Sequence, residues 1–219
     1  MNKNFFTLYQ YIGPIILTPL SFWLWWHSYQ GDIKQTLIAW LIPILYSYIV
    51  PAVGTNVLKV WEFNTRYKLG NFRPHHGFVF GSATAMIAWL VHCVPSITLF
   101  LVFQTGIIFA SVLGIINIIY DIKAIKSGIL IVYNQPYADK KSEEAIVMDY
   151  ALWFFGVFGL IYGFGVGLSE WVSYHYHPNA STFMLLFFGV LIVSILVPVW
   201  GYRKSSIKKY GHDGCHPIK

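Results

Sequence analysis

Six apolar segments, each close to the length of a membrane-spanning helix, account for most of this sequence. A helix that crosses the hydrocarbon core of a bilayer needs roughly 20 mostly apolar residues. The segments that meet this requirement cover about 5–27, 37–58, 77–103, 105–120, 148–169 and 182–202. Lipid offers no partners to backbone polar groups, so such segments must be helical. The sequence therefore predicts an all-α integral membrane protein, a polytopic bundle of about six transmembrane helices.

The composition and the length agree with this fold class. Charged residues make up only 11% of the chain, whereas soluble domains carry about 25%. Six spans in 219 residues leave no room for a separate soluble domain, so we expect residues 1–219 to form a single transmembrane domain. The third and fourth segments are divided only by FQTG. A tight turn there predicts an antiparallel helix pair, and the alternative is one long broken segment.

The distribution of basic residues predicts the orientation, because cytoplasmic loops carry an excess of Lys and Arg. With both termini in the cytoplasm, Lys3, the loops 59–76 and 121–147 and the C-terminal tail are cytoplasmic, and Lys34 alone of the 15 Lys and Arg lies outside. We therefore predict cytoplasmic N- and C-termini in a multi-pass protein, expected in a bacterial inner (plasma) membrane. The basic residues form no single stripe, so membrane lipids and no nucleic acid are the expected partners.

Small residues repeat every four positions in two segments, namely Gly77, Gly81 and Ala85 in the third and Gly159, Gly163 and Gly167 in the fifth. This spacing places them on one helix face and lets two backbones approach closely in lipid. One interpretation is packing of the third segment against the fifth, or against a second copy in a homo-oligomer formed through Gly159, Gly163 and Gly167. The other is a groove that holds a substrate.

Polar side chains collect at the predicted cytoplasmic face. No Asp, Glu, Lys or Arg lies near the middle of a predicted span, and His92 is the only ionisable side chain besides Cys93 well inside one. Ionisable groups within the membrane commonly mark transport pathways, so their scarcity disfavours an ion-coupled carrier. We predict a substrate-binding site at the cytoplasmic interface, with the candidate residues Asn56, Arg66, Arg73, Asn117 and Tyr120.

The stretch NFRPHHG, residues 71–77, opens the third segment. Pro74 suits the first turn of a helix, so Arg73, His75 and His76 are expected beside the free N–H groups of a helix start. A helix N-terminus together with an Arg favours an anion. The expected ligand is an amphiphilic anionic small molecule, with a lipid phosphate, a fatty carboxylate or a phosphorylated cofactor as the anion. The alternative is anchoring of a basic loop to lipid headgroups.

Acidic residues lie in the same interfacial layer. Glu62 either neutralises Arg66 or, if it faces the apolar interior, acts as a general acid or base with a raised pKa. The candidate catalytic residues are Glu62, His75, His76, Asp121 and Asp149.

Short motifs in the sequence resemble two enzyme families, and the motifs of a third are missing. Membrane di-iron enzymes use repeated HxxxH or HxxHH boxes, which this sequence lacks. KVWEFNT resembles the box of fatty-acid elongases, and NVLKVWEF resembles a stretch of membrane-bound terpene cyclases. Each similarity covers fewer than ten residues, and neither assigns a family. The sequence requires no cofactor and predicts no metal, while the clusters HYHP and HDGCH leave a zinc or copper site as an alternative.

The function that these features favour is an integral membrane enzyme. It would act by acid–base chemistry on a lipid or isoprenoid-like amphiphilic substrate at the cytoplasmic interface. The alternative is non-catalytic: a channel, a passive transporter, or the membrane-anchor subunit of a complex.

The predicted orientation can be tested by cysteine labelling of intact cells. In a chain without Cys93 and Cys215, a membrane-impermeant thiol reagent should modify Tyr176→Cys and leave Ile207→Cys unmodified. The reverse pattern would contradict the orientation, and labelling of both would contradict an even number of spans.

Overall fold

The computed structural model describes residues 3–219 as a bundle of long helices. The helices are α1 (Lys3–Ser28), α2 (Ile33–Ala52), α3 (His76–Val91), α4 (Leu99–Lys126), α5 (Gln135–Ala138), α6 (Glu143–Ala151), α7 (Phe158–Tyr176) and α8 (Ala180–Tyr210). One π-helical segment, Val53–Val57, extends α2, and another, Leu152–Val157, joins α6 to α7. Two short strands, β1 (Trp61–Phe63) and β2 (Leu130–Val132), complete the described fold.

Four helical stretches are long and apolar enough to cross a membrane: Ile33–Val57, Leu99–Lys126, Glu143–Tyr176 and Ala180–Tyr210. This confirms the prediction of a helical, membrane-type protein at the level of four such helices. Helix α3 is apolar but has only 16 residues, and α1 is not among the four. The count of six spans and the cytoplasmic side of the termini stay predictions.

The break between the third and fourth apolar segments lies at residues 92–98, so the predicted turn at FQTG is wrong. Helix α3 ends at Val91, and FQTG lies inside α4. The break follows from Pro95, which lacks a backbone donor and biases the residue before it away from helix. Thr98 then caps α4, because its hydroxyl accepts a hydrogen bond from the backbone N of Leu101 at 3.3 Å.

The glycine face of α7 packs against α4 within the chain. A Cβ atom on Gly163 would lie 2.7 Å from the carbonyl oxygen of Thr105, and one on Gly159 would lie 2.9 Å from the Cα atom of Ala110. Gly167 is equally close to α4, 3.0 Å from the Cα atom of Val102. The face is therefore covered by α4 within the chain, and the homo-oligomer expected through these glycines stays a prediction.

The small residues of α3 pack against α2. One interpretation of the sequence had placed them against the fifth segment. A Cβ atom on Gly81 would overlap the Cα atom of Ile44, and one on Gly77 would overlap the ring of Tyr48. Small side chains on α3 thus let the two backbones touch, as in other membrane helix pairs.

Consecutive long helices run in opposite directions. The loops 58–75 and 127–142 and the tail 211–219 therefore lie at the end of the bundle where α1 starts. We call this the basic end, and the end that holds residues 29–32, 92–98 and 177–179 the opposite end. The tail 211–219 contacts the loop 127–142 through a backbone hydrogen bond from Ile218 N to Tyr133 O, 2.9 Å long. An antiparallel ribbon of β1 and β2 also lies at the basic end, with Trp61 paired to Val132.

The packing of α7 on α4 predicts that Gly163→Ala lowers the free energy of unfolding by about 1–3 kcal/mol, because the added methyl group overpacks the interface. Gly189→Ala is the matched control, since a Cβ atom there meets nothing within 4 Å and Ala favours a helix over Gly. Thermal unfolding of the purified variants measures both. Equal stability of Gly163→Ala and the control would contradict the close packing.

Candidate functional site

The guanidinium group of Arg73 is buried at the basic end of the bundle. Arg73 precedes Pro74 at the start of α3, and only 1% of its surface is exposed. Its Nε and Nη2 atoms lie 3.2 Å and 3.0 Å from Nδ1 of His76. The rings of Phe63 and Phe80 flank the guanidinium carbon at 4.8 Å and 5.4 Å. Nη1 of Arg73 donates a hydrogen bond to Oε1 of Gln10 at 3.5 Å, and the Tyr120 ring packs on Phe80 with the ring centroids 5.0 Å apart.

The positive charge of Arg73 has no ion-pair partner among residues 3–219. Burying an unpaired charge is costly, and here the aromatic faces and neutral acceptors offset part of that cost. Burial lowers the pKa of Arg73, yet a guanidinium group stays protonated in proteins. The site therefore retains a positive charge that an anionic group can balance.

Arg73 determines which nitrogen of His76 carries a proton. A guanidinium group only donates hydrogen bonds, so Nδ1 of His76 accepts them and the neutral imidazole carries its proton on Nε2. His76 lines a cavity of about 80 Å³. No hydrogen bond engages its Nε2 within the described part of the chain. This N–H group is therefore available to a ligand.

Asp121 lines the same cavity from α4. The carboxyl group is buried, and its Oδ2 accepts a hydrogen bond from the Tyr150 hydroxyl at 2.7 Å. Asn117, one turn earlier on α4, also lines the cavity and donates from Nδ2 to the Leu113 carbonyl at 2.8 Å. The amide oxygen of Asn117 and the second carboxyl oxygen of Asp121 remain as acceptors.

The rest of the cavity wall is largely aromatic. Trp61 and Phe63 come from β1, while Phe154 and Phe155 come from the π-helical segment Leu152–Val157. Single turns of π-helix occur often at functional sites. Apolar walls with a few convergent polar groups are typical of small-molecule sites, whose volumes are about 300–1,000 Å³. At about 80 Å³ this cavity has room for a headgroup and not for a whole amphiphile.

An apolar groove of about 300 Å³ adjoins this cavity between α1, α3 and α4. The two spaces share Phe80, Thr84 and Asn117 in their walls. Apolar side chains of α1 and α4, such as Leu17 and Ile116, line the groove.

Glu62 lies outside the cavity, on the opposite face of β1 from Trp61 and Phe63, because side chains alternate along a strand. Its carboxylate accepts hydrogen bonds from the Tyr133 hydroxyl at 2.9 Å and from Lys68 Nζ at 3.3 Å. The hydrogen bond from Tyr133 lowers the pKa of Glu62, and Lys68 lowers it further. The condition for a raised pKa, a position facing the apolar interior, is therefore not met.

Asp149 is buried in a separate cluster that holds the C-terminal end of α8. It accepts hydrogen bonds from the Tyr210 hydroxyl at 2.9 Å and from Asn134 Nδ2 at 3.2 Å, and Lys209 Nζ lies 3.4 Å away. Its oxygens are thus occupied, and it does not line the cavity.

His75 stands next to the site. Burial lowers its pKa, and the charge of Arg73 lowers it further. Both effects disfavour the positive charge that was expected from His75. Its Nε2 and the hydroxyl of Tyr11 are both buried without a hydrogen-bond partner in the described chain. Their ring centroids are 5.4 Å apart.

The remaining two predicted residues are exposed at the basic end, with Arg66 in the loop 58–75 and Asn56 in the π-helical segment Val53–Val57. Arg66 lies over the ring of Tyr67 at 5.6 Å. Asn56 holds the turn, donating to the Leu69 carbonyl at 3.2 Å and accepting from Asn71 N at 2.9 Å. Of the ten predicted site residues, the structure thus brings five together around one centre: Arg73, His76, Asn117, Tyr120 and Asp121.

Metal ligation finds no support in residues 3–219, where no three His, Cys, Asp or Glu side chains converge. In the HYHP cluster, His175 Nε2 lies 3.1 Å from the Ile97 carbonyl. In the tail, His212 Nε2 lies 3.1 Å from Oε1 of Gln135.

Sequence reasoning missed Glu170, which lies just beyond the predicted end of the fifth span at 169. Helix α7 continues to Tyr176, and Glu170 is buried at the opposite end of the bundle. The missed signal is that no Gly or Pro follows Gly167 until Pro178, so nothing in the sequence ends the helix at 169.

Comparison of the chain with protein-family models, curated protein sequences and solved structures found no match. The chemistry of the site is therefore the basis for assigning a function. It combines a buried cation, an imidazole N–H donor and a carboxyl group around one cavity beside an apolar groove.

Proposed function

We propose that the protein is an integral membrane enzyme that acts by acid–base chemistry on a lipid or isoprenoid-like amphiphilic substrate at the membrane interface. The observation that carries this proposal is the placement of His76 and Asp121 in one cavity, with the unpaired charge of Arg73 directly behind His76. Membrane lipids and an anionic amphiphile are the proposed partners.

The proposed binding mode follows the polarity of the two adjoining spaces. The apolar tail lies in the groove between α1 and α4, where it keeps its contact with hydrocarbon. The anionic head enters the cavity, accepts a hydrogen bond from Nε2 of His76 and balances the charge of Arg73. Charge-assisted hydrogen bonds of this kind contribute about twice as much as neutral ones.

The proposed chemistry assigns Asp121 as the general acid or base. A carboxyl group in apolar surroundings, oriented by one hydroxyl, is the arrangement that enzymes use to move a proton at neutral pH. The Nε2–H group of His76 would stabilise negative charge that develops on a substrate oxygen. Arg73 acts as a positioning residue, because it fixes the tautomer of His76.

We further propose six spans with cytoplasmic termini in a bacterial inner membrane, which places the cavity at the cytoplasmic interface. The support is that the segments bearing 14 of the 15 Lys and Arg all lie at the basic end, as the positive-inside rule requires.

A passive transporter is the second candidate, because a polar cavity also lies at the opposite end of the bundle. Between the two ends, Tyr162 and Val166 are fully buried, and Tyr162 stacks on Phe158 at 5.7 Å. Transport would require this layer to open. The enzyme proposal requires no such opening.

The proposal predicts that Asp121→Asn abolishes turnover. Purified protein in lipid nanodiscs is incubated in D₂O with polyprenyl phosphates, fatty acids and membrane lipid extract. Mass spectrometry then scores amphiphiles that gain deuterium or change composition. Loss of a general acid or base should slow the reaction by about 10²–10⁴-fold, whereas Glu62→Gln, outside the cavity, should retain the wild-type rate.

Full activity of Asp121→Asn would contradict the assigned role. No change in any amphiphile, combined with solute flux through liposomes that contain the protein, would favour the transporter.

A further inference from the structure

A second cavity, of about 540 Å³, lies at the opposite end of the bundle from Arg73. It forms where α1 ends, where residues 92–98 interrupt the helices, and where the last turns of α7 pass. Its polar lining includes Ser28, Tyr29, Asp32, Gln35, His92 and Glu170. Its size falls within the range of small-molecule sites, about 300–1,000 Å³.

Glu170 is the central ionisable group of this cavity. One carboxylate oxygen accepts a hydrogen bond from the Tyr29 hydroxyl at 2.8 Å, and the other accepts one from the backbone N of Ser96 at 2.8 Å. The second bond has a structural role, because it satisfies a backbone donor in a non-helical segment inside the bundle. A carboxylate has about four acceptor positions, so acceptor capacity remains for a ligand.

The side chain of His92 lies against Glu170, but its Nε2 forms no aligned hydrogen bond with any group in residues 3–219. Its side chain is 9% exposed, and its Nε2 lies 2.8 Å from Oε1 of Glu170. This contact is an ion pair when His92 is protonated, but it is not aligned as a hydrogen bond, so the buried Nε2 has no hydrogen-bond partner among the described residues. Two polar atoms side by side with no shared, aligned proton are suited to a ligand group that carries several N–H donors.

The charge of the lining favours a cation. Glu170 and Asp32 are acidic, and no Lys or Arg lines the cavity. Lys34 lies between the lining residues Asp32 and Gln35 in sequence, but its ammonium group donates a hydrogen bond to the Pro178 carbonyl at 3.3 Å. An inorganic divalent cation would require more oxygen ligands than converge here. An organic ammonium ion matches both the charge and the volume.

We propose that this cavity binds a primary ammonium group, with Glu170 as its counter-ion and with Nε2 of His92 and the hydroxyl oxygen of Tyr29 as further acceptors. The three N–H donors of a primary ammonium match these three acceptors. The ammonium belongs to a free amine or to the headgroup of an aminophospholipid. This site is independent of the proposed reaction at the basic end.

The test measures binding of ethanolamine and of ethylene glycol, in which a hydroxyl replaces the ammonium group, to the purified full chain by isothermal titration calorimetry. Ethanolamine should bind saturably and ethylene glycol should not. Glu170→Gln should raise the Kd for ethanolamine at least about tenfold, since hydrogen bonds to charged groups are the strong ones. Glu144→Gln, an exposed carboxylate at the basic end, should leave the Kd unchanged.

A second variant keeps the proposal testable if Glu170→Gln fails to fold. Asp32→Asn preserves the cap of α2, because Asn caps as well as Asp. It removes the second negative charge and should raise the Kd about two- to fivefold. Native mass spectrometry from nanodiscs with equal phosphatidylethanolamine and phosphatidylglycerol separates the two sources. Selective retention of phosphatidylethanolamine indicates the headgroup, and binding of soluble ethanolamine alone indicates a free amine.

The proposal is overturned if neither ethanolamine nor phosphatidylethanolamine binds, or if ethylene glycol binds as tightly as ethanolamine. It is also overturned if the folded carboxylate variants bind the amine as the wild type does.

Discussion

The contact between α4 and α7 is the interaction on which both cavities depend. Three glycines on α7 let its backbone touch α4, with Gly159 and Gly163 at the centre of the contact. At the basic end, the same approach brings Tyr150 within 2.7 Å of Asp121. At the opposite end, it places Glu170 against Ser96, whose hydroxyl lies 3.1 Å from that of Thr105. A larger residue in the contact would therefore disturb two polar sites that lie far apart.

The burial of Arg73 is the clearest departure from what stability alone would select. A guanidinium group without an ion pair costs folding free energy, and such a cost persists where the charge has a use. Here the charge is one residue from Pro74 and reaches the cavity through His76. The stretch NFRPHHG is thus polar because its Arg73 and His76 turn inward, where His76 lines the cavity that we propose binds substrate.

The apolar segments predicted much of the fold, because segment length and the absence of charge determine a membrane helix before any tertiary contact forms. The break at 92–98 was missed because these residues lie within a continuous apolar run. The interruption at Pro95 is stabilised by a tertiary contact, the hydrogen bond from Ser96 N to Glu170, which the local sequence does not indicate. Residues 130–132, within the apolar stretch GILIVY, pair as β2 with β1, and pairing between distant segments leaves no local signal.

The site was predicted in part. Arg73, His76 and Asp121 were all recognised as interfacial polar residues. His76 and Asp121 line one cavity, and Arg73 lies behind His76. The direction of Glu62 could not be inferred, because residues 59–76 were predicted only as a loop, whereas Trp61–Phe63 form a strand that places neighbouring side chains on opposite faces. From sequence alone, Asp149 was as good a candidate as Asp121. In the structure its carboxylate accepts a hydrogen bond from Tyr210 at the end of α8 and does not face the cavity.

Retention of an anionic amphiphile by the buried charge tests the central claim most directly. Native mass spectrometry of protein released from lipid membranes compares the wild type with Arg73→Gln, which removes the charge and keeps donors, and with Arg66→Gln, which alters an exposed guanidinium. The account predicts that the wild type and Arg66→Gln retain an anionic amphiphile and that Arg73→Gln retains at least about tenfold less. Equal retention by all three proteins would contradict it.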